Sequence, residues 1–125
     1  MQLRDKKPDI WFPDHWGCFG GAVDGAESPQ QTLRRELKEE LEFDLRTEPR
    51  ELTRFAFDLT PLGGDNIWRL YFEVPVTEAE FERFVLHEGA RFEAVNLREL
   101  MQERRVTPYD AFAVWLHASR HRLRS

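Results

Sequence analysis

Residues 21–43 read GAVDGAESPQQTLRRELKEELEF, and the second half of this stretch places Glu36, Glu39 and Glu40 at i, i+3 and i+4. On a helix that spacing sets three carboxylates on one face, within side-chain reach of one another. The helix is signalled at its start: Ser28 and Gln31 have the spacing of a capping box, and Pro29 suits the first helical position. It is predicted to run to about Leu41. At roughly 100° per residue, Leu33, Leu37 and Leu41 form one apolar stripe. Glu40 borders that stripe, with Glu36 and Glu39 stepping away from it; Arg34, Lys38 and Glu42 lie on the other flank. Three anions so close repel one another, and a carboxylate beside a buried face is costly without a partner. A divalent hard cation with oxygen ligands removes both penalties.

Outward from this helix the chain alternates strand and helix signals. Gln2 to Arg4 reads as the end of a strand, and DKKPDIWFPDH as a proline-bearing loop. Trp16 to Val23 reads as a strand interrupted by Gly20 and Gly21. Downstream, Leu52 to Leu59 and Ile67 to Val76 alternate as strands around the turn TPLGGDN, which predicts a hairpin. A short helix is expected at TEAEFERF, a strand at Arg91 to Asn96 and a helical turn or two at Leu97 to Arg104. Thr107 and Pro108 open a final helix whose apolar stripe is Phe112, Trp115 and Leu116, and the basic tail from Arg120 is expected to fray. Helices around a hairpin and other strands predict an α/β fold with a mixed sheet.

The chain has 125 residues, enough for one domain and one core, with 41% apolar and 33% charged residues. No stretch approaches the roughly 20 apolar residues of a membrane span, and MQLRDKKPDIW contains no apolar core of a signal peptide. The single Cys18 cannot form an internal disulfide, so a cytoplasmic protein is expected. A net charge of −5 argues against non-specific nucleic-acid binding. Much of that charge is local: residues 21–43 hold six acids against three bases. Such a site repels phosphate until bound cations invert the field.

The same stretch resembles the Nudix box, G-x5-E-x7-R-E-U-x-E-E-x-G-U, where U is a bulky aliphatic residue. Gly21, Glu27, Arg35, Glu36, Leu37, Glu39 and Glu40 fall where the pattern requires. Glu42 stands where the box has its last glycine, and Phe43 fills the final aliphatic slot. The approach, WGCFGGAVDGAE, is similar to the family's W-x-x-P-G-G-x-x-E-x-G-E, with Phe19, Asp24 and Ala26 at the substituted positions. The resemblance covers nearly the whole of 1–125. It implies a Nudix-like α/β/α sandwich and a hydrolase that cleaves the P–O–P linkage of a nucleoside diphosphate joined to another group. The implied metal ligands are Glu36, Glu39, Glu40 and the carbonyl of Gly20, with magnesium as cofactor and manganese as the other candidate. Arg35 pairs with and orients carboxylates in relatives, a task for a planar fork. Glu88 with Gly89 is similar to a glutamate–glycine pair that supplies a further ligand or the general base; Glu93 is the nearby competitor. The base is one of these acids.

By the same resemblance Arg4 lies near the phosphates. Trp11, Phe12 and Trp16 carry rings that stack on a base or sugar, or else anchor core and loop, and Trp16 is the expected substrate contact. His117 and His121, at i and i+4, read as helix-end surface. The family's first strand is longer than Met1 to Arg4, so the first strand is shortened, and a homodimer pairing the exposed edges is the expected repair. Two alternatives to the hydrolase stand beside it: a Nudix-fold nucleotide-binding module, motivated by Glu42 and Phe43, and a purely structural protein that binds no metal.

Overall fold

The computed structural model describes residues 1–123, and of His121 the backbone alone. Strand β1 (Gln2–Leu3) lies between β2 (Trp16–Gly17) and β5 (Arg91–Phe92), antiparallel to both. Trp16 also bridges Val106 in parallel, with its N–H donating to the Arg105 carbonyl at 2.8 Å, so this sheet is mixed. Strands β3 (Arg50–Asp58) and β4 (Asn66–Glu73) form a separate antiparallel hairpin with an irregularity between Glu51 and Thr53. A 3-10 turn at Thr60–Leu62 closes it, held by Gly63 in the left-handed conformation.

Helix α1 (Pro29–Leu41) begins as its caps dictate: the Ser28 hydroxyl accepts from the Gln31 N–H and the Gln31 side chain accepts from the Ser28 N–H. It ends at Glu42 in the left-handed region, φ 54° and ψ 34°, a residue whose N–H donates to Lys38. The Glu42-to-Lys38 bond is that of a left-handed cap, and Phe43 N–H donates to the Leu37 carbonyl just beyond it. The Phe43 ring then packs 5.1 Å from Phe84. Around this exit Leu37, Leu41, Phe43 and Leu45 form one buried cluster with Phe19, Leu33, Val74 and Leu86 packed against it. Each such buried side chain contributes about 1.5–3 kcal/mol relative to exposure.

Helices α2 (Glu78–Glu82) and α3 (Leu97–Glu103) are short, and α4 (Pro108–Leu123) is the long terminal helix. A second cluster joins Trp16, Leu100 and Val114, with Met1, Leu3, Val95 and Val106 against it. Helix α1 thus covers one core and α3 with α4 another, with strand residues contributing to both, the layered α/β arrangement expected.

Several elements depart from their expected extents. The strand expected over Trp16 to Val23 stops at Gly17, because the chain beyond it bends around Glu40. The one expected over Arg91 to Asn96 stops at Phe92, and Asn96 instead caps α3 by accepting from Glu99. The face of α4 is rotated from the expected stripe: Phe112 and Trp115 are each 47% exposed, whereas Tyr109, Asp110, Ala113 and Val114 are buried. The cause is Asp110, whose carboxylate accepts from the Thr107 hydroxyl (2.7 Å), the Cys18 N–H (3.1 Å) and the Tyr71 hydroxyl (2.7 Å). Three donors on one buried carboxylate fix the rotation more firmly than an aromatic stripe does. Helix α4 continues to Leu123 through the region expected to fray, and residues 124–125 lie outside the description. Among the described residues no helix is long and apolar enough to cross a membrane.

Candidate active site

After β2 the backbone passes alongside α1 at very close range. A β-carbon built on Gly21 would lie 2.1 Å from Glu36 Oε1, so a side chain there would push the Glu36 carboxylate out of place. Gly20 N–H donates to Glu40 Oε2 at 3.0 Å. The loop then turns at Gly25 (φ 55°) and returns to Glu27, which accepts from the Asp24 N–H.

Arg35 ties this loop to the helix. Its Nε and Nη2 donate to the two oxygens of Glu27 at 2.9 and 3.0 Å, and Nη2 also donates to the Ala22 carbonyl at 3.1 Å. Its Nη1 reaches Glu36 at 3.0 Å and Glu39 at 3.3 Å. The Arg35 fork, together with the Asp24 amide, lowers the Glu27 carboxyl to about 2. Glu27 therefore stays ionised and anchors the arginine that orients Glu36.

Carboxylate oxygens of Glu36, Glu40 and Glu88 lie within 4.8 Å of one another. Glu40 is 2% exposed and Glu88 is exposed. Burial, then the Glu88 carboxylate, then Glu36, raise the Glu40 carboxyl to about 9. Burial is also the largest influence on Glu36 and raises it, against the opposing pull of Arg35. Glu40 Oε1 is buried and has no hydrogen-bond donor among the described residues. A buried acceptor without a donor, facing two further carboxylates, needs either a proton or a cation. Three hard oxygen donors from separate side chains suit a divalent ion such as magnesium or manganese. The residues present fit that cofactor.

The cluster brings together Glu36, Glu40 and the loop candidate Glu88, and leaves out one expected ligand. Glu39 is outside it: its side chain is 58% exposed and held by Arg35. Glu88 comes in from the loop after α2, and the competitor Glu93 is engaged elsewhere by Arg104 at 3.0 Å. Gly20 touches the cluster through its N–H. Arg4 is not brought to the acids by any hydrogen bond or ion pair among the described residues; its Nε donates to the Trp11 carbonyl at 3.0 Å. Trp16 offers no face to a substrate, a correction to its expected role. It is 4% exposed, and the guanidinium of Arg104 sits 4.7 Å from its ring centroid with that of Arg91 at 5.5 Å. Trp11 is 40% exposed and Phe12 packs edge-on against Tyr109. His117 pairs with Glu73; the His121 side chain lies outside the description. Glu27 and Gly21 were not assigned site roles from the sequence, although their places in the box were the available signal.

A cavity of about 1080 Å³ is lined mainly by apolar groups including Met1, Leu37, Phe72 and Val74, and none of the three acids borders it. It is therefore separate from the candidate site.

A search of curated proteins found no match. Among solved structures, the MutT protein from Methanosarcina mazei Go1 is similar with a TM-score of 0.73 and 18% identity, over 99% of this chain and 83% of that one. The E. coli ORF135 protein is similar with a TM-score of 0.73 and 23% identity, over 94% of this chain and 79% of that one. At these identities the likeness concerns the fold. The family described as the NUDIX domain matches residues 3–116. With that match spanning nearly all of the chain, and its box residues forming one loop-and-helix unit, the protein belongs to the Nudix family.

Proposed function

We propose that the protein is a metal-dependent pyrophosphohydrolase. It would cleave the P–O–P linkage of a nucleoside diphosphate joined to another group, by attack of water on phosphorus. The observation that carries this reading is the cluster of Glu36, Glu40 and Glu88 around a buried, donorless Glu40 oxygen. These three acids would hold magnesium, or manganese, with the Gly20 carbonyl as a further ligand. A divalent ion held there neutralises phosphate oxygens and lowers the pKa of a bound water. The chain's own groups do the rest. Arg35 keeps Glu36 oriented through its anchor on Glu27, and the Gly20 N–H fixes Glu40. Glu88 and Glu39 are exposed and can pass a proton to solvent, so the general base is sought between them. Arg4 has Nη groups without a hydrogen bond among the described residues, and it stays in the proposal as a phosphate contact.

Against the binding-module alternative, Glu42 fits the helix exit with its N–H on the Leu37 and Lys38 carbonyls, and Phe43 is buried in the core beside it. The site is acidic and the chain carries a net charge of −5, which disfavours non-specific binding of nucleic acid and fits a small nucleotide derivative brought in with a cation. A panel of nucleoside triphosphates, nucleotide sugars, dinucleotide polyphosphates and capped RNA, assayed with magnesium or manganese and read by phosphate release, tests the proposal. Cation-dependent cleavage of at least one is expected. Binding without cleavage of any would return the protein to the binding-module class.

A further inference from the structure

Glu88 is the one member of the acid cluster that does not sit on α1, so its position depends on how its loop is held. Both of its neighbours are tied down. On one side Val85 N–H donates to the Leu41 carbonyl at 3.1 Å and His87 N–H donates to the Glu40 carbonyl at 2.8 Å. Carbonyls in the last turn of a helix lack an intrahelical donor, and the loop supplies two of them. On the other side Gly89 has φ 84°, and a β-carbon there would lie 2.9 Å from the Leu3 carbonyl oxygen and 2.5 Å from Gln2 Oε1. Ala90 N–H then donates to that Leu3 carbonyl at 2.8 Å.

One further contact crosses from the loop to the helix exit. His87 Nε2 lies 2.9 Å from Glu42 Oε2. A carboxylate only accepts, so the ring nitrogen is the donor. Glu42 occupies the left-handed conformation in which a residue with a β-carbon is strained and glycine is not. The hydrogen bonds that close the helix there are made by backbone groups and need no side chain. What the glutamate adds, and glycine cannot, is the hold on His87.

We infer that Glu42 and His87 form a clasp that positions Glu88 against Glu36 and Glu40. They are positioning residues, not ligands. The inference rests on the reading of those three acids as metal ligands. The pair is half exposed, 51% and 52% for the two side chains, which bounds its effect. An exposed pair of this kind is worth at most about fivefold in an equilibrium.

Manganese binding to the full chain, followed by electron paramagnetic resonance, tests it. Glu88→Ala is expected to weaken affinity about tenfold, in the range of changes at metal sites. Glu42→Gly and His87→Ala are each expected to weaken it about threefold. Neither should weaken it further in the Glu88→Ala background, because the residue they position is gone. Histidine tolerates the left-handed region, so the exchanged pair Glu42→His with His87→Glu should bind within about twofold of the original. Amide exchange of residues 85–89 should quicken in Glu42→Gly while its denaturant midpoint does not fall, which separates loop release from general destabilisation. If Glu42→Gly and His87→Ala bind manganese like the original while Glu88→Ala does not, the clasp is overturned and the metal reading stands. If Glu88→Ala also binds normally, the metal reading fails and the clasp with it.

Discussion

Replacing Glu40 by glutamine separates the two demands on this residue. The amide keeps the size and still accepts the Gly20 N–H, but it removes the charge. Without metal, the Glu40 carboxyl is raised to about 9, so near pH 7 it is already protonated and the exchange is neutral for neutral. The new amide offers two N–H donors towards Glu36 and Glu88, where the protonated carboxyl offers one O–H. One satisfied hydrogen bond is worth about 1 kcal/mol, so the metal-free variant should be as stable as the original at pH 7 or slightly more. The sign with pH follows. The folded chain binds a proton at Glu40 that the unfolded chain releases near 4.5, the ordinary value for a glutamate. Metal-free stability of the original therefore falls as pH rises from 4.5 towards 9, and that slope weakens in the variant. Above pH 9 the original also carries like charges within 4.8 Å. At an effective dielectric of 20 that separation corresponds to about 3.5 kcal/mol per pair. With saturating magnesium the order reverses: turnover of Glu40→Gln should drop at least about a hundredfold, about 2.7 kcal/mol. Denaturant midpoints in chelator at pH 7 and 9.5, with kcat in saturating magnesium, measure both halves. Near-normal turnover would refute the role of Glu40 as a ligand. A less stable metal-free variant at pH 9.5 would refute the account of charge crowding.

Three further outcomes follow from the same geometry. Metal binding at pH 7 should release about one proton, since a ligand must shed it, and affinity should rise with pH up to about 9, the value to which Glu40 is raised; calorimetry in buffers of different ionisation enthalpy measures the release. Gly21→Ala should displace Glu36, because its methyl would lie 2.1 Å from Oε1; manganese affinity is expected to fall at least about tenfold, and unchanged affinity would show that the loop yields. The edge of β4 away from β3 has no strand partner among the described residues, and Trp68 on that strand is 70% exposed. A symmetric dimer through this edge is expected, and a monomer across a wide concentration range in sedimentation would remove it.

Signals local in the chain were legible. The capping pair Ser28 and Gln31 gave the start of α1, and Glu42, at the last glycine position of the box, takes the left-handed conformation that glycine favours. Thr107 with Pro108 likewise marked the start of α4. What depended on distant partners was not legible. The buried face of α4 is set by Cys18 and Tyr71, 92 and 39 residues from Asp110. A helical wheel makes Glu39 as good a neighbour of Glu36 as Glu40 is, but Arg35 draws Glu39 aside; the third acid, Glu88, was a candidate only through the Glu88–Gly89 resemblance, since no local pattern sets it beside Glu36 and Glu40. Trp16 was indistinguishable from a stacking residue until Arg91 and Arg104 were found against its ring.

Glu36, Glu40 and Glu88 are together proposed to hold the catalytic cation. Anomalous diffraction from crystals grown with manganese locates that ion directly. A peak within bonding distance of oxygens from all three acids is expected. A peak bound through Glu39 with Glu88 turned away, or no peak near Glu40 at saturating manganese, would contradict it.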